Sequence, residues 1–350
     1  MGCSIPDSRW TLFVNLILVV WMQILQRGGW EKEVAILTDP FVIEDRIRCG
    51  LVIGGGDGDS VSALAQRAEN SGLDSIWVGD HISFYIPILE SLTLLSYMAG
   101  ATSRIDLCTG VYLLPLRHPT TTAKITSTLD VLSGGRLKLG VGVGGEFPAE
   151  FEATGVPVSE RGSRADEAIE ILRRLWNEDN VEHAGSHFSF GAVTLAPKPV
   201  QENGPPIIVG GRKGPSFRRA GRLGDGYLSH MCSPQQYADN MALIRQHARS
   251  AGRESAPFEP GAFLFSVLDD EYEVALDRAA SMLQMIYNRP FRDAASKYCL
   301  LGKAEDWLDQ MQDFARAGAR HFVFSLLSDG DAFFEAWEKT LKPGIAQLDF

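Results

Sequence analysis

Three observations on this chain of 350 residues predict an α/β protein of the closed (β/α)8 barrel class. Short apolar runs alternate with amphipathic helical stretches from Ile47 onward. The apolar runs are hydrophobic throughout, as in parallel strands that helices cover on both faces. No linker rich in Pro or Ser interrupts residues 47–350, so these residues are predicted to form one domain. An open, doubly wound sheet is the alternative fold.

Eight strand–helix units follow one another along the chain. The predicted strands are Ile47–Ile53, Ser75–Val78, Asp106–Val111, Leu137–Val143, Ile207–Val209, Gly226–Leu228, Ala262–Val267 and His321–Phe324. The predicted helices are Ser60–Ser71, Ile88–Ala99, Pro119–Leu132, Gly162–Trp176, Pro215–Leu223, Pro234–Ala251, Tyr272–Ile286 with Ala304–Ala317, and Ala332–Leu341. After the fourth helix, HFSFGAVTLAPKP alternates apolar and polar residues and predicts a small hairpin insertion. The whole arrangement is that of a TIM barrel.

Composition and charge narrow the functional class. Lys and Arg number 33 against 44 Asp and Glu, a formal net charge of −11, whereas a nucleic-acid surface needs clustered basic residues. The five cysteines lie far apart without a C-x-x-C pair, so we expect neither a disulfide framework nor a metal site (Cys3, Cys49, Cys108, Cys232 and Cys299). We therefore expect a cytoplasmic protein that acts on a small-molecule substrate.

Residues 1–46 are interpreted as an N-terminal extension. Trp10–Leu25 is mostly apolar but shorter than the roughly 20 residues of a membrane span. Asp7 and Arg9 cancel where a secretory signal needs a basic start. A peripheral anchor, a cleaved or spanning signal, and a poorly ordered extension are the three interpretations. The last is preferred because the regular pattern begins only near Arg46, and no stable membrane span is expected.

A glycine-rich run, LGVGVGGE, contains G-x-G-x-x-G at Gly140, Gly142 and Gly145. A dinucleotide fingerprint needs a helix that begins at the glycines, whereas two prolines delay the helix here until about Gly162. The preferred interpretation places Gly142 and Gly144 at the end of the fourth strand, where missing side chains let a flat ring approach the backbone. Easier packing of the barrel is the alternative.

A second glycine cluster follows the fifth strand, in the sequence PPIIVGGRKGPSFRRAGRLGDG. Gly210, Gly211, Arg212 and Lys213 lead into a helix that begins around Pro215. Backbone N–H groups, the positive end of the helix dipole and two cations together predict an anion site. The run lacks the G-K-[ST] end of a nucleotide-hydrolysing loop, so a phosphate-bearing cofactor is the expected occupant. A plain solvated turn is the alternative.

Acidic and basic side chains follow two further strands. Asp80 and His81 come directly after the second strand, at the mouth where catalytic residues gather. A histidine there can exchange a proton near neutral pH, and Asp80 could orient it or bind a cofactor ring; a structural histidine is the alternative. After the fourth strand Glu146 is the candidate acid, whereas Glu150 and Glu152 are interpreted as solvated.

Three segments together resemble one known superfamily. They are SIWVGDHI, HPTTTAKITSTLDVLSGGRLKLGVGVGGEFPAEFEATGVPVSERGSRADEAIEILRRLW and PPIIVGGRKGPSFRRAGRLGDGYL. They resemble the bacterial luciferase-like flavin- and deazaflavin-dependent oxidoreductases, over about residues 47–350. The resemblance implies a barrel with its cofactor at the C-terminal mouth. One branch of the superfamily uses reduced FMN and oxygen, and the other uses the deazaflavin coenzyme F-420 as a hydride carrier.

The resemblance also implies roles for single residues. An Asp-His pair after the second strand resembles the F-420 branch, in which His81 would be the acid/base beside the hydride-transfer carbon and Asp80 would contact the cofactor. Glu146 resembles the second catalytic acid of the family. Gly110-Val111 matches a third-strand bulge that carries a non-prolyl cis peptide in this branch. Gly144 matches a glycine that contacts the cofactor ring, and Gly210-Gly211 matches the phosphate loop.

The sequence therefore predicts an F-420-dependent hydride transfer to or from a small organic substrate. The alternative is an FMN-dependent monooxygenase that receives reduced flavin from a separate flavin reductase. A third hypothesis is a flavin-binding protein without catalysis, and the Asp80-His81 pair counts against it. Because members of the family are often dimers, the resemblance also suggests a homodimer.

Overall fold

The computed structural model of the chain describes residues 39–328 and 330–350. Eight parallel strands form its main sheet: Arg48–Val52 (β1), Ser75–Val78 (β2), Asp106–Thr109 (β3), Leu137–Gly142 (β4), Ile207–Gly210 (β5), Gly226–His230 (β6), Glu259–Leu268 (β7) and His321–Leu326 (β8). They pair in the order β6-β5-β4-β3-β2-β1-β8-β7, and β7 pairs back onto β6. The sheet is therefore closed, and the predicted (β/α)8 barrel is confirmed.

One principal helix follows each strand. These helices are Gly58–Asn70 (α1), Ser91–Ala101 (α2), Pro119–Ser133 (α3), Arg161–Asn177 (α4), Gly214–Leu223 (α5), Pro234–Ser250 (α6), Tyr272–Tyr287 (α7) and Gly330–Ala336 (α8). Between α7 and β8 lie the helices Arg292–Tyr298 and Ala304–Arg316 and a short strand, Leu300–Gly302, that pairs with β7. A π-helical turn, Trp337–Leu341, and the helix Lys342–Ile345 follow α8.

The hairpin predicted between α4 and β5 is confirmed, because Val181–Ala184 pairs antiparallel with Ser189–Val193. The loop between β4 and α4 differs from the prediction of an irregular stretch up to Gly162. It contains a short helix, Pro148–Ala153. Proline suits the first helical position because its fixed φ fits the helix and its missing N–H would have no partner there. This helix carries both of the acidic side chains interpreted above as solvated, Glu150 and Glu152.

The side chain of Trp77, on β2, occupies the interior of the barrel with Cys108, Ile208, Leu228 and Val323 around it. Trp77 is 1% exposed. The surrounding strands supply glycines where the indole comes close. A Cβ atom on Gly50 would lie 2.7 Å from Nε1 of Trp77, and one on Gly110 would lie 3.1 Å from its Cε3. A side chain at Gly50 would therefore clash with the indole, and Gly110 packs closely on it.

Charged side chains close the other end of the barrel, where the strands begin: Arg48, Asp106, Lys138, Glu259 and His321. Lys138 pairs with Glu259 and, at 3.1 Å, with Asp106, and Arg48 pairs with Asp106. Burial alone would raise the pKa of Glu259, but Lys138, His321 and Arg48 hold that pKa well below its usual range. The charges thus compensate one another, which a buried ion cluster requires for stability.

The predicted extension of residues 1–46, with its apolar segment Trp10–Leu25, lies mostly outside the described residues. Within the described part of the chain, no helix combines the length and the apolar character needed to cross a membrane. Phe41–Val42 forms a two-residue strand beside Ala256–Pro257. Phe41 is 5% exposed and stacks on Phe258 with ring centroids 4.0 Å apart. Packing on the barrel thus begins before the predicted boundary at Arg46.

A chain that starts at residue 47 should be less stable than one that starts at residue 39 by about 1.5–3 kcal/mol, because it loses the buried phenyl ring of Phe41. Denaturant unfolding of the two truncated chains measures the difference. In the longer chain, Phe41→Ala should cause most of the same loss, whereas Val42→Ala, at a side chain 59% exposed, should cause little. Equal unfolding midpoints for the two chains would contradict this assignment.

Candidate active site

The residues singled out in the sequence come together at one end of the barrel. They follow β2, β3, β4 and β5, which are adjacent strands of the closed sheet. Because the carboxyl ends of parallel strands meet at the same mouth, their loops face one another there. The predicted site residues therefore occupy one half of the mouth.

The imidazole of His81 is held in a defined orientation. Its Nδ1 atom lies 3.0 Å from Oε2 of Glu150. Phe84 stacks on the ring at 4.0 Å between centroids, and Phe147 meets it edge-on at 5.1 Å. Its Nε2 atom has no hydrogen-bond partner in the described chain, and 22% of the side chain is exposed. With Nδ1–H donating to the carboxylate, Nε2 of the neutral ring carries a lone pair toward the mouth.

Glu150 corrects the interpretation of the acidic loop, because its side chain is 1% exposed rather than solvated. Its Oε1 atom accepts hydrogen bonds from the backbone N–H groups of Ile82 at 2.6 Å and Ser83 at 3.2 Å. The same carboxylate thus holds both the ring of His81 and the backbone that follows it. Glu152, on the same short helix, is exposed as expected.

Asp80 does not orient His81. Its buried carboxylate receives two hydrogen bonds from the guanidinium of Arg117, at 2.5 and 2.8 Å. It also accepts from the backbone N–H of Leu113 at 2.8 Å and from the hydroxyl of Ser91 at 3.2 Å. These four donors occupy the acceptor positions of a carboxylate. The side chain therefore joins the end of β2 to the loop after β3, and a contact of Asp80 with the cofactor stays a prediction.

The peptide bond between Gly110 and Val111 is cis, as the resemblance implied. The side chain of Val111 lies between the ends of β4 and β5. A Cβ atom on Gly210 would come within 2.6 Å of Cγ1 of Val111, and one on Gly142 would collide with its Cγ2. Packing of Val111 thus accounts for the absence of side chains at Gly142 and Gly210. A contact of either glycine with a cofactor stays a prediction.

Two other predicted glycines have backbone angles that favour this residue. Gly144 has a φ of +57° and Gly211 a φ of +144°, both in the region that L side chains rarely adopt. A Cβ atom on Gly211 would also lie 2.6 Å from Oγ of Ser216, at the start of α5. The turn after β5 is therefore tight, with its backbone close to the helix start.

The two cations of this turn differ in their surroundings. Arg212 pairs with Glu146 at 2.7 Å, and both side chains are partly exposed. Lys213 is exposed and pairs with no carboxylate in the described chain. It therefore remains available to an anion at the start of α5. Glu146 joins the loop after β4 to the loop after β5, and its role as the second acid stays a prediction.

One histidine at the mouth was missed by the sequence analysis. His230 is the last residue of β6, with the rings of Phe263 and Phe265 at 5.7 and 5.6 Å. Burial, and secondly the charge of Arg212, lower the pKa of His230 to about 4. This ring is therefore neutral at ordinary pH. Its position directly after an apolar run is the same signal that pointed to His81.

The sequence of the chain is similar to those of known proteins. The family model of the luciferase-like monooxygenases matches residues 41–329. The chain belongs to this family. It is 25% identical over 291 residues to an F-420-dependent glucose-6-phosphate dehydrogenase of Kineococcus radiotolerans, covering 75% of this chain and 85% of that protein. It is therefore an oxidoreductase with flavin- or deazaflavin-dependent relatives.

Two other comparisons show the range of this family. A flavin-dependent trigonelline monooxygenase, oxygenase component, of Acinetobacter baylyi is 33% identical over 156 residues, which are 44% of this chain and 43% of that one. The solved structure of an F-420-dependent secondary alcohol dehydrogenase matches with a TM-score of 0.77 at 22% identity, over 86% of this chain and 99% of that structure. A structural likeness at this identity shows the shared barrel fold.

The residues at the mouth fit a flavin or deazaflavin group. The side chain of Val111, half-buried after the end of β3, offers an apolar surface for a flat ring. The unpaired cation of Lys213, in a tight turn at a helix start, suits a phosphate. The apolar side chains of Phe84 and Phe147 cover His81 beside this surface.

Replacing Glu150 by Gln should lower kcat about 10–100-fold, the usual cost of removing a partner that orients a catalytic side chain. The amide retains an oxygen for the N–H of Ile82 but carries no charge to stabilise a protonated His81. The KM values should stay within about twofold. Because partial unfolding also lowers the apparent kcat at constant KM, cofactor titration of the variant measures its active fraction, which should be unchanged. Glu152→Gln, on the exposed face of the same helix, is the matched control. A change only in melting temperature would refute the positioning role.

Proposed function

We propose that the chain is an F-420-dependent oxidoreductase that moves a hydride to or from a small organic substrate. The observation that carries this proposal is the imidazole of His81, whose Nδ1 is held by a buried carboxylate and whose Nε2 is free at the mouth. Two similar proteins, a glucose-6-phosphate dehydrogenase and a secondary alcohol dehydrogenase, are F-420-dependent and support the choice of this cofactor.

Proton transfer is the part of the reaction that this chain's own side chains perform. When bound, the deazaflavin supplies or accepts the hydride. Nε2 of His81 takes the proton of a substrate hydroxyl when the alcohol is oxidised, and returns it in the reverse direction. The carboxylate of Glu150 stabilises the imidazolium that results and keeps Nε2 aimed at the substrate oxygen. Phe84 and Phe147 limit the access of water to this histidine.

Cofactor binding is assigned to the turn after β5 and the backbone around the cis peptide. Gly210, Gly211, Arg212 and Lys213 would hold the phosphate through N–H groups and two cations. Gly144 would leave space beside the ring. Glu146, paired with Arg212, is proposed as the second acid because it reaches from the loop after β4 to the anion-binding turn.

An FMN-dependent monooxygenase is the second candidate function. It is favoured by the likeness to the oxygenase component of a flavin-dependent monooxygenase, at 33% identity over 156 residues. In that case a separate flavin reductase would be a partner of the chain. Oxygen consumption separates the two candidates, since a hydride transfer to F-420 proceeds without oxygen.

His81→Ala should reduce turnover by about 10²–10⁴-fold, the usual contribution of a positioned proton-transfer group. Its affinity for F-420 should stay within a few-fold, because the side chain handles a substrate proton rather than the cofactor. Absorbance titration gives the affinity, and anaerobic cofactor reduction gives the rate. His247→Ala, in the last turn of α6 at the opposite end of the barrel, should change neither quantity.

The same titration decides the cofactor. Wild-type protein should bind oxidised F-420 more tightly than FMN, and its turnover should be equal with and without oxygen. A strict requirement for reduced FMN and oxygen would place the chain among the monooxygenases. Unchanged turnover in His81→Ala would remove His81 from the mechanism with either cofactor.

Replacing both Arg212 and Lys213 by Ala should weaken cofactor binding by about 1–3 kcal/mol, the scale of lost hydrogen bonds to a charged group. The loss should shrink as salt is added, because screening already weakens the native contact. Lys213→Ala alone should account for much of the effect, since Arg212 is shared with Glu146. Arg218→Ala, on the exposed side of α5 and paired with Asp166, is the control. Unaltered affinity at low salt would place the phosphate elsewhere.

A further inference from the structure

A cavity opens beside the anion-binding turn, and most of the residues around it were not assigned a role in the sequence analysis. Its volume is about 360 Å³, and it lies between the turn after β5, the end of β6 and the segment between α7 and β8. The side chains that line it include Arg212, Met231, Asn240, Arg289, Phe291 and Tyr298. None of them belongs to the group around His81.

The charged side chains that line this cavity are arginines. Arg212 and Arg289 line it, and no Asp or Glu among the described residues does so, although Glu146 pairs with Arg212 from outside the lining. The chain as a whole carries a formal net charge of −11. A recess lined by cations attracts anions, and its low-dielectric walls strengthen that field. The arrangement therefore selects a negatively charged group.

Arg289 is the cation without an acidic partner. Its guanidinium lies over the ring of Phe291, 5.0 Å from the centroid, and 6.0 Å from that of Tyr287. No carboxylate of the described chain pairs with it. Arg292, three positions further on, pairs instead with Glu273 at 2.6 Å and with Asp277. Stacking on aromatic rings holds the Arg289 guanidinium in place and leaves its N–H donors free.

Neutral groups in the cavity add hydrogen bonds and apolar surface. Asn240 donates to the hydroxyl of Tyr227 at 3.3 Å, which in turn donates to the carbonyl of Gly211 at 2.8 Å. The hydroxyl of Tyr298 has no partner in the described residues. Met231 and Phe291 provide apolar surface beside these polar atoms. The cavity thus suits an oxyanion attached to an apolar body.

We propose that this cavity binds the carboxylate or phosphate of an acidic organic substrate, with Arg289 as the main contact. The inference rests on the proposed function only where it calls the anion a substrate. A charged tail of the cofactor would present the same chemistry, because both ligands would offer an oxyanion to Arg289. The experiment below therefore separates the two sources.

Benzoate and benzyl alcohol serve as matched probes, since they share the phenyl ring and differ in charge. Titration calorimetry at low salt should detect benzoate binding to the wild-type protein, with benzyl alcohol at least about 10-fold weaker. Arg289→Gln should weaken benzoate binding about 10–100-fold, the equivalent of one lost hydrogen bond to a charged group. Arg292→Gln, which breaks ion pairs outside the cavity, should leave benzoate binding within about twofold.

The second arm repeats the benzoate titration with saturating F-420 and, in parallel, saturating FMN. Undiminished benzoate binding supports a substrate site. Competition by either cofactor, together with weaker cofactor binding in Arg289→Gln, would assign the cavity to the cofactor and overturn the proposal. Equal benzoate affinities in wild type and Arg289→Gln would also overturn it. Failure of the proposed function appears separately, as wild-type protein that binds benzoate but not F-420.

Discussion

The indole of Trp77 connects the two ends of the barrel. Its Nε1 donates to the hydroxyl of Ser75 at 2.8 Å, and that hydroxyl bonds Nε2 of His321 at 2.7 Å. His321 then reaches the carboxylate of Glu259 in the charged cluster below. On the other side, a Cβ atom on Gly110, directly before Val111 at the mouth, would lie 3.1 Å from the indole. The backbone at the end of β3 thus packs directly on the side chain that fills the barrel beneath it.

The strand that carries Trp77 leads directly to His81, the candidate proton carrier, and a buried ion pair fixes the end of this strand. Asp80 accepts two hydrogen bonds from Arg117, which in turn stacks over the ring of Tyr112 at 4.5 Å. Removing either partner would leave an uncompensated charge in the protein. Because these hydrogen bonds fix Asp80, they also fix the direction in which the backbone of His81 leaves β2. Glu150 then orients the imidazole ring of His81. Such support around a reactive side chain is what an efficient proton transfer requires.

The fold was predictable because each strand is a short apolar run and each helix has an apolar stripe. Both patterns are recognisable in the sequence alone, without knowledge of tertiary contacts. His81 and the turn at Arg212 were predictable because they directly follow apolar runs. Glu150 was missed because its burial comes from a contact with His81, 69 positions away in sequence. The charged cluster at the other end of the barrel also has a signal in the sequence, namely charged residues where strands begin. Arg48 and Glu259 each stand at the first position of a strand, where a side chain points into the end of the barrel.

The mouth combines two chemically different halves. The loops after β2 and β4 hold the candidate proton carrier, His81, and its aromatic cover, whereas the turn after β5 holds Arg212 and Lys213 and the segment after α7 holds Arg289. Glu146 crosses between the halves and pairs with Arg212, so one cation is shared and the other two are free for ligands. Two free cations in an acidic chain match two oxyanions. With a cofactor phosphate at the turn after β5, the remaining anion would be anchored at Arg289. In the proposed reaction, a substrate held there by its acidic end would extend its neutral end toward His81.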